Sequence, residues 1–291
     1  MNRFKLGVIG DLFNVPLRES IELAKDLGVD GISLYAVTRE LSPETMQKEE
    51  RFEFKKYCSD MGLEIASLVG ELGGHGLEIE SENKVKIPRF KLIVDLAEDL
   101  GVSIITSHIG VIPADSSNQR YATMFSACSE LGKYAADHGV CFGIETGPEP
   151  AKVLRRFIDD LNSPGIGVNL DPANLVMVVR DDPVQAVYEL APYIVSTHAK
   201  DGRNLQPCNS EAVYNAFAEG GFEKLVAQTG QLFEELPLGQ GDVCWQEYLE
   251  ALENIKFSGY LTIEREAGSC PYAEISVAVV FLNQLKLSLI N

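Results

Sequence analysis

"LAEDLGVSIITSHIG", residues 96–110, changes its character at one glycine. Up to Leu100 it reads as the end of a helix, and beyond Gly101 as a strand rich in β-branched residues. Gly101 can take the left-handed conformation that stops a helix. The apolar run after it is short and suits a strand covered on both faces. The same unit recurs as "LAKDLGVDGISLYAV" (23–37), "YCSDMGLEIASLVG" (57–70) and "YAADHGVCFGIETG" (134–147). "LENIKFSGYLTIERE" (252–266) is a looser fifth copy. Helices alternating with strands imply a parallel sheet, because parallel neighbours need crossover connections.

Worked outward, the pattern predicts eight strands, at 5–10, 31–37, 64–70, 103–109, 141–146, 166–171, 194–198 and 260–265. Amphipathic segments lie between most of them, at 16–27, 42–61, 87–100, 118–138, 150–161 and 182–191. Ser42 is the expected N-cap of the second, with Glu44 in its first turn. Eight βα units close into an α/β fold of the (β/α)8 TIM-barrel type. The alternative is an open doubly wound sheet, but no G-x-G-x-x-G follows the first strand, where a dinucleotide fold carries it. Strands seven and eight are about 60 residues apart, more than one helix needs. An insertion is therefore expected at about 203–243, ahead of a helix that begins near Trp245, and a last helix at about 273–290. No Pro-, Gly- or Ser-rich linker interrupts the chain, so 1–291 reads as one domain.

Composition narrows the class. A chain of 291 residues that is 45% hydrophobic can bury a large core. Its net charge of -18, from 43 acidic and 25 basic residues, repels phosphodiester backbones and speaks against nucleic acid as a partner. The six cysteines form no C-x-x-C pair, which suggests reduced, buried thiols. "MNRFKLGVIG" runs straight into a strand pattern, and "ISVAVVFL" is too short to span a bilayer. The expectation is a cytoplasmic protein with no membrane partner; the acidic surface and long seventh loop are compatible with a homodimer.

The last four strands share a parity. Side chains of a strand alternate between two faces. Gly143 and Glu145 share one face against Phe142 and Ile144; Asn169 and Asp171 oppose Val168 and Leu170. Ser196 and His198 oppose Val195 and Thr197, and Thr262, Glu264 and Glu266 oppose Leu261 and Ile263. Each strand thus turns apolar groups to the outer helices and ends with an ionisable group on its inner face. In a barrel that C-terminal end is where sites form. Glu145, Asp171, His198 and Glu264 would converge there, although any one of them alone reads as a cap or an ion-pair partner. Three crowded carboxylates repel unless a cation joins them, and oxygen donors with one imidazole suit Mn²⁺, Mg²⁺, Co²⁺ or Zn²⁺.

In "GIETG", "NLDPANL", "THAKDG", "PLGQGDVCW" and "YLTIERE" the chain resembles the xylose isomerase-like superfamily. More closely, it is similar to the sugar phosphate isomerase/epimerase group, related to AP endonuclease family 2. The resemblance covers nearly the whole chain in strand order. It implies one divalent metal on Glu145, Asp171, His198 and Glu264, with Glu266 competing for the last place. It also implies a sugar or cyclitol substrate whose carbonyl-adjacent proton is removed by a carboxylate, the metal stabilising the enediolate. Glu145 and Glu264 are then base and acid. Returning the proton to the other face is epimerisation, returning it to the next carbon is isomerisation, and expelling a β-hydroxyl is dehydration. A keto-inositol dehydratase and a non-catalytic sugar-binding barrel are the alternatives. Ketose 3-epimerases carry a His three residues after the Asp, where this chain has Asn174, which can bind a hydroxyl but shuttles no proton. Endonuclease-type relatives use many His ligands for three zinc ions, and only His75, His108, His138 and His198 are present.

The remaining candidates each have two readings. His108, at the parity of Thr106, either contacts substrate or is a structural His. Lys200 either polarises a carbonyl and donates a proton or pairs with Asp201 or a ligand carboxylate. Glu71 and His75, in "GELGGHGLE", belong to a Gly-rich pocket edge and are substrate-contact candidates. Arg203 and Arg265 either anchor an anionic substrate or form structural ion pairs. Trp245 reads as a packing anchor and His138 as a helix-end His without catalytic role.

Overall fold

The computed structural model describes residues 4–38 and 40–289, so position 290 of the expected last helix and both ends of the expected 1–291 unit lie outside the described residues. The chain opens with β1 (Phe4–Ile9), a 3-10 turn (Gly10–Phe13), α1 (Leu17–Asp26), β2 (Gly31–Tyr35), α2 (Lys48–Asp60) and β3 (Glu64–Val69). It continues through α3 (Glu80–Leu100), β4 (Ile104–Ser107), α4 (Gln119–Asp137), β5 (Cys141–Glu145) and α5 (Ala151–Leu161). β6 (Ile166–Leu170) leads into the one-turn α6 (Pro172–Asn174), a π-helical turn (Leu175–Val179), α7 (Pro183–Leu190) and β7 (Ile194–Ala199). Then come β8 (Asp201–Asn204), α8 (Ser210–Ala218), α9 (Phe222–Thr229), β9 (Phe233–Leu236), α10 (Trp245–Asn254), β10 (Gly259–Ile263) and α11 (Pro271–Ser288).

Eight of the strands pair in parallel and close in the order β1-β10-β7-β6-β5-β4-β3-β2, a (β/α)8 TIM barrel. The outer faces carry Ile32, Leu34, Leu68, Ile105, Ile144 and Leu261, all fully buried beneath the helices. The inner faces carry small or polar groups: Gly7 registers with Thr262, Thr262 with His198, and Thr106 with Gly143. Ser67 donates to Ser33 at 2.8 Å across the interior. Small inner side chains leave the room that the mouth of the barrel uses.

The punctuation is as the repeats imply. Gly28, Gly62, Gly101 and Gly139 all have φ between 68° and 80°. In the looser fifth copy Lys256 takes the same left-handed place, with φ 62°. Three local expectations are corrected. Ser42 caps no helix: residues 42–46 form a turn, and α2 starts after Gln47, which shares a reciprocal capping box with Glu50. α3 starts at Glu80, seven residues before the expected 87, and carries Pro88 inside it; packing of Phe90, Ile93 and Val94 outweighs the lost hydrogen bond. Val195 leaves the outer face, because a bulge opposite Val168 and Asn169 takes it out of alternation. Its methyls fill the space beside Gly143 and Gly167.

All six cysteines are free thiols, but only Cys58 and Cys128 are buried. Cys244 and Cys270 are exposed because they precede α10 and α11 as N-caps. Between the seventh and eighth barrel strands, β8 and β9 form an antiparallel pair that carries α8 and α9. This insertion has its own small core of Val213 and Leu232 against Ala173, Met177 and Val178. It thus sits on the segment that follows β6. Among the described residues no helix is long and apolar enough to cross a membrane.

Candidate active site

Strand ends place the four tip residues together. Glu145 closes β5, Asp171 follows β6, His198 lies in β7 and Glu264 follows β10. All four are buried, and one ligand atom from each lies within 4.8 Å of every other. His198 Nδ1 is 2.6 Å from Glu264 Oε2, 3.4 Å from Glu145 Oε1 and 3.6 Å from Asp171 Oδ2.

The cap and the convergent tip turn out to be one residue. Asp171 Oδ1 accepts from the N–H groups of Ala173 and Asn174 at 2.8 and 3.0 Å, capping α6. Its Oδ2 is buried without a hydrogen-bond partner, as are His198 Nδ1 and Glu264 Oε2. Orphaned buried polar atoms are costly. Three of them close together, two carboxylate oxygens and an imidazole nitrogen, could hold a divalent cation. The residues present therefore fit such an ion.

The surroundings orient these groups. Asn169 Nδ2 donates to Glu145 Oε2 at 3.2 Å and lies 3.0 Å from His198 Nε2. Asn174 Nδ2 donates to Glu145 Oε1 and to the Thr146 carbonyl, each at 3.3 Å. Asn174 thus holds a carboxylate as well as lining the cavity. Lys200 Nζ reaches Glu266 Oε2 at 2.6 Å and Glu264 Oε1 at 3.3 Å. Of the two partners considered for Lys200, a ligand-candidate carboxylate is met in Glu264, while Asp201 is turned away to the loop that precedes α10. Burial disfavours the Lys200 charge, but Glu264 and Glu266 outweigh it and hold its pKa well above the ordinary lysine value. Burial likewise opposes ionisation of Glu145, yet His108 and His198 bring its pKa below the usual carboxylate range.

A cavity of about 350 Å³ opens on this cluster, within the range of small-molecule sites. Glu71, His108 and Asn174 line it. Glu71 Oε2 accepts the His108 backbone N–H at 3.0 Å and lies 3.5 Å from Nδ1, while His108 Nε2 is buried, unpartnered and 3.8 Å from Glu145 Oε1. Burial opposes charge on His108, but Glu145 and Glu71 push its pKa up to about 10.

Two candidates are placed elsewhere. Arg203 does not line the cavity: β8 carries it to the Gln240 carbonyl at 2.8 Å and to Asp242 at 3.6 Å. His75 does not line it either; it lies 3.6 Å from Glu219 and links the Gly-rich loop to the insertion. Arg265 pairs with Glu235 at 2.6 Å and Glu274 at 2.7 Å. The lining also includes Tyr35, Tyr214, Phe217, Phe233 and Glu235, none of which sequence reasoning singled out. Tyr214 and Phe217, one helical turn apart in the insertion, were the available signal.

Comparison with known proteins follows the same line. The model of the xylose isomerase-like TIM barrel family matches residues 21–281. An uncharacterized protein of Methanocaldococcus jannaschii is 23% identical over 200 residues, a match spanning 64% of this chain and 59% of that protein's length. The crystal structure of a xylose isomerase domain protein from Planctomyces limnophilus is 28% identical, with a TM-score of 0.80, covering 98% of this chain and 97% of that one. The probable 3-DHS dehydratase AsbF of Bacillus anthracis shares the fold at TM-score 0.74 and 18% identity, covering 96% of this chain and 99% of that one. An L-ribulose 3-epimerase does so at TM-score 0.73 and 16% identity, covering 98% and 95%.

Proposed function

The chain belongs to the xylose isomerase-like TIM barrel family, and on that premise we propose that it is a divalent-metal-dependent isomerase or epimerase of a sugar or sugar-like polyol. The observation that carries this reading is the buried Glu145–Asp171–His198–Glu264 cluster, in which three polar atoms have no hydrogen-bond partner. The fold shared with proteins described as a sugar epimerase and a probable dehydratase supports an enzyme rather than a passive barrel.

The four residues would hold Mn²⁺, Mg²⁺, Co²⁺ or Zn²⁺, which when bound acidifies a C–H beside a carbonyl and stabilises negative charge on the substrate's oxygens. Glu145, at the end of β5, and Glu264, just after β10, flank His198, and both line the cavity. One removes the proton from carbon and the other returns one, to the opposite face for epimerisation or to the next carbon for isomerisation. Lys200, its charge balanced by Glu264 and Glu266, donates a hydrogen bond to a neutral substrate oxygen. His108, fixed by Glu71, points its unpartnered Nε2 into the cavity to bind a hydroxyl or carbonyl. Asn174 orients Glu145.

A dehydratase is the second reading, favoured by Lys200, an ammonium beside Glu264 able to protonate a departing hydroxyl. One experiment tests both. Candidate sugars and cyclitols are incubated with protein and Mn²⁺ in D₂O and followed by NMR. Deuterium at a carbonyl-adjacent carbon with the carbon skeleton intact supports the isomerase or epimerase. Loss of water to a conjugated product supports the dehydratase. Tight sugar binding with neither outcome overturns both in favour of a binder.

A further inference from the structure

We infer that the substrate of this site is uncharged: among the described residues the barrel mouth sets its cationic side chains and its backbone donor nests against the chain's own carboxylates, and the divalent cation proposed above would sit among three of them, which leaves no excess positive charge for a phosphate or carboxylate. This rests on the sugar-processing reading above and deepens it, pointing to a free polyhydroxy ketone or keto-cyclitol.

The cations come first. Beside the metal-ligand candidate His198, the cationic side chains among the described lining residues are His108 and Lys200, and no described arginine lines the cavity. Lys200 is held by two carboxylates, at 2.6 and 3.3 Å. His108 sits between Glu71 at 3.5 Å and Glu145 at 3.8 Å. Arg265, next to Glu264 in the chain, is spent as well, on Glu235 and Glu274. Glu71, Glu145, Glu235, Glu264 and Glu266 meanwhile all face the cavity. A dianionic group entering it would meet like charge in a partly desolvated space.

The backbone gives the same answer. Barrels of this type commonly bind phosphate on N–H groups after strands seven and eight, and helix N-termini are ready-made anion sites. Here the segment after the seventh barrel strand is wrapped around a buried carboxylate of its own. Asp201 accepts from the N–H groups of Gly202, Gly239, Gly241 and Val243 at 2.8 to 3.2 Å and from Trp245 Nε1 at 3.0 Å. The N-terminus of α6 is filled by Asp171, and the first N–H of α5 by Asp181 at 2.8 Å. The remaining wall is apolar, with Ile9, Val69, Tyr214, Phe217 and Phe233. Such a wall suits the C–H face of a ring or chain whose hydroxyls turn to the carboxylates.

The test pairs each free ketose or keto-cyclitol with its phosphate ester in the D₂O exchange assay. A second, activity-free arm measures the melting temperature of metal-free protein in about 10 mM inorganic phosphate against chloride of matched ionic strength. The expected result is exchange on a free compound, with kcat/KM for its ester lower by about 100-fold or more, and no phosphate-specific rise in melting temperature. An ester exchanged as well as its parent, or a melting temperature raised by phosphate, overturns the inference while leaving the isomerase reading intact. Absence of exchange on every compound, free or esterified, defeats the isomerase reading, and the phosphate arm then decides the charge inference by itself.

Discussion

Asp171 Oδ2 lies 3.6 Å from His198 Nδ1, and neither buried atom has a hydrogen-bond partner, while the other Asp171 oxygen caps α6. One carboxylate thus has two separable tasks. Asp171→Asn keeps a cap oxygen for Ala173 and Asn174 but puts an amide where the ion would bind. It should fold with unchanged circular dichroism and lose at least about 100-fold in metal affinity, as should His198→Ala. Stoichiometric metal in both variants, measured by elemental analysis, would remove the assignment.

The two glutamates and Asn174 differ in what their substitution costs. Glu145→Gln and Glu264→Gln should each lower kcat by about 10²–10⁴-fold, the usual worth of a proton-transfer group. Asn174→Ala, which removes a donor to Glu145 Oε1, should lower kcat by about 10-fold with metal content unchanged. Equal losses in all three, read from steady-state kinetics, would contradict a positioning role for Asn174.

Metal binding should strengthen with pH. Burial disfavours charge on His198, but Glu145 and Glu264 outweigh it and hold its pKa well above the ordinary histidine value. An ion on Nδ1 must displace that proton, so acid competes with metal and binding releases protons. At 100 times the dissociation constant the metal should add about 2.7 kcal/mol of stability, which a chelator removes. Scanning calorimetry should find a larger metal-induced rise in melting temperature at pH 8 than at pH 6.

Glu149 carries a pH dependence outside the tip cluster. It is only 4% exposed, accepts the Ile112 N–H at 3.2 Å, and has a pKa raised from 4.5 to about 8, chiefly by burial. Between those values the native state keeps a proton that the unfolded chain releases. Its contribution is therefore harmless below about pH 4.5 and costs stability as pH rises towards 8, by roughly a few kcal/mol at most. Glu149→Gln keeps the acceptor for Ile112 and should flatten the fall in stability between pH 5 and pH 8. Parallel wild-type and variant curves in denaturant titrations would refute this.

What the sequence by itself determined is periodic and local. The glycine after each helix, the switch to a two-residue alternation, and an ionisable group at one parity on four successive strands are short-range properties. They were enough to predict eight strands and to list the four tips that meet within 4.8 Å. Alternation states which face a side chain takes, but not which partner it meets there. Only the tertiary structure gave Lys200 to Glu266 rather than Asp201, and turned Arg203 outward to Asp242. It also moved Val195 off its face through a bulge and laid Tyr214, Phe217 and Phe233 along the cavity. Each of these depends on a neighbour brought close by barrel closure, and that competition between distant partners leaves no periodic trace in the chain.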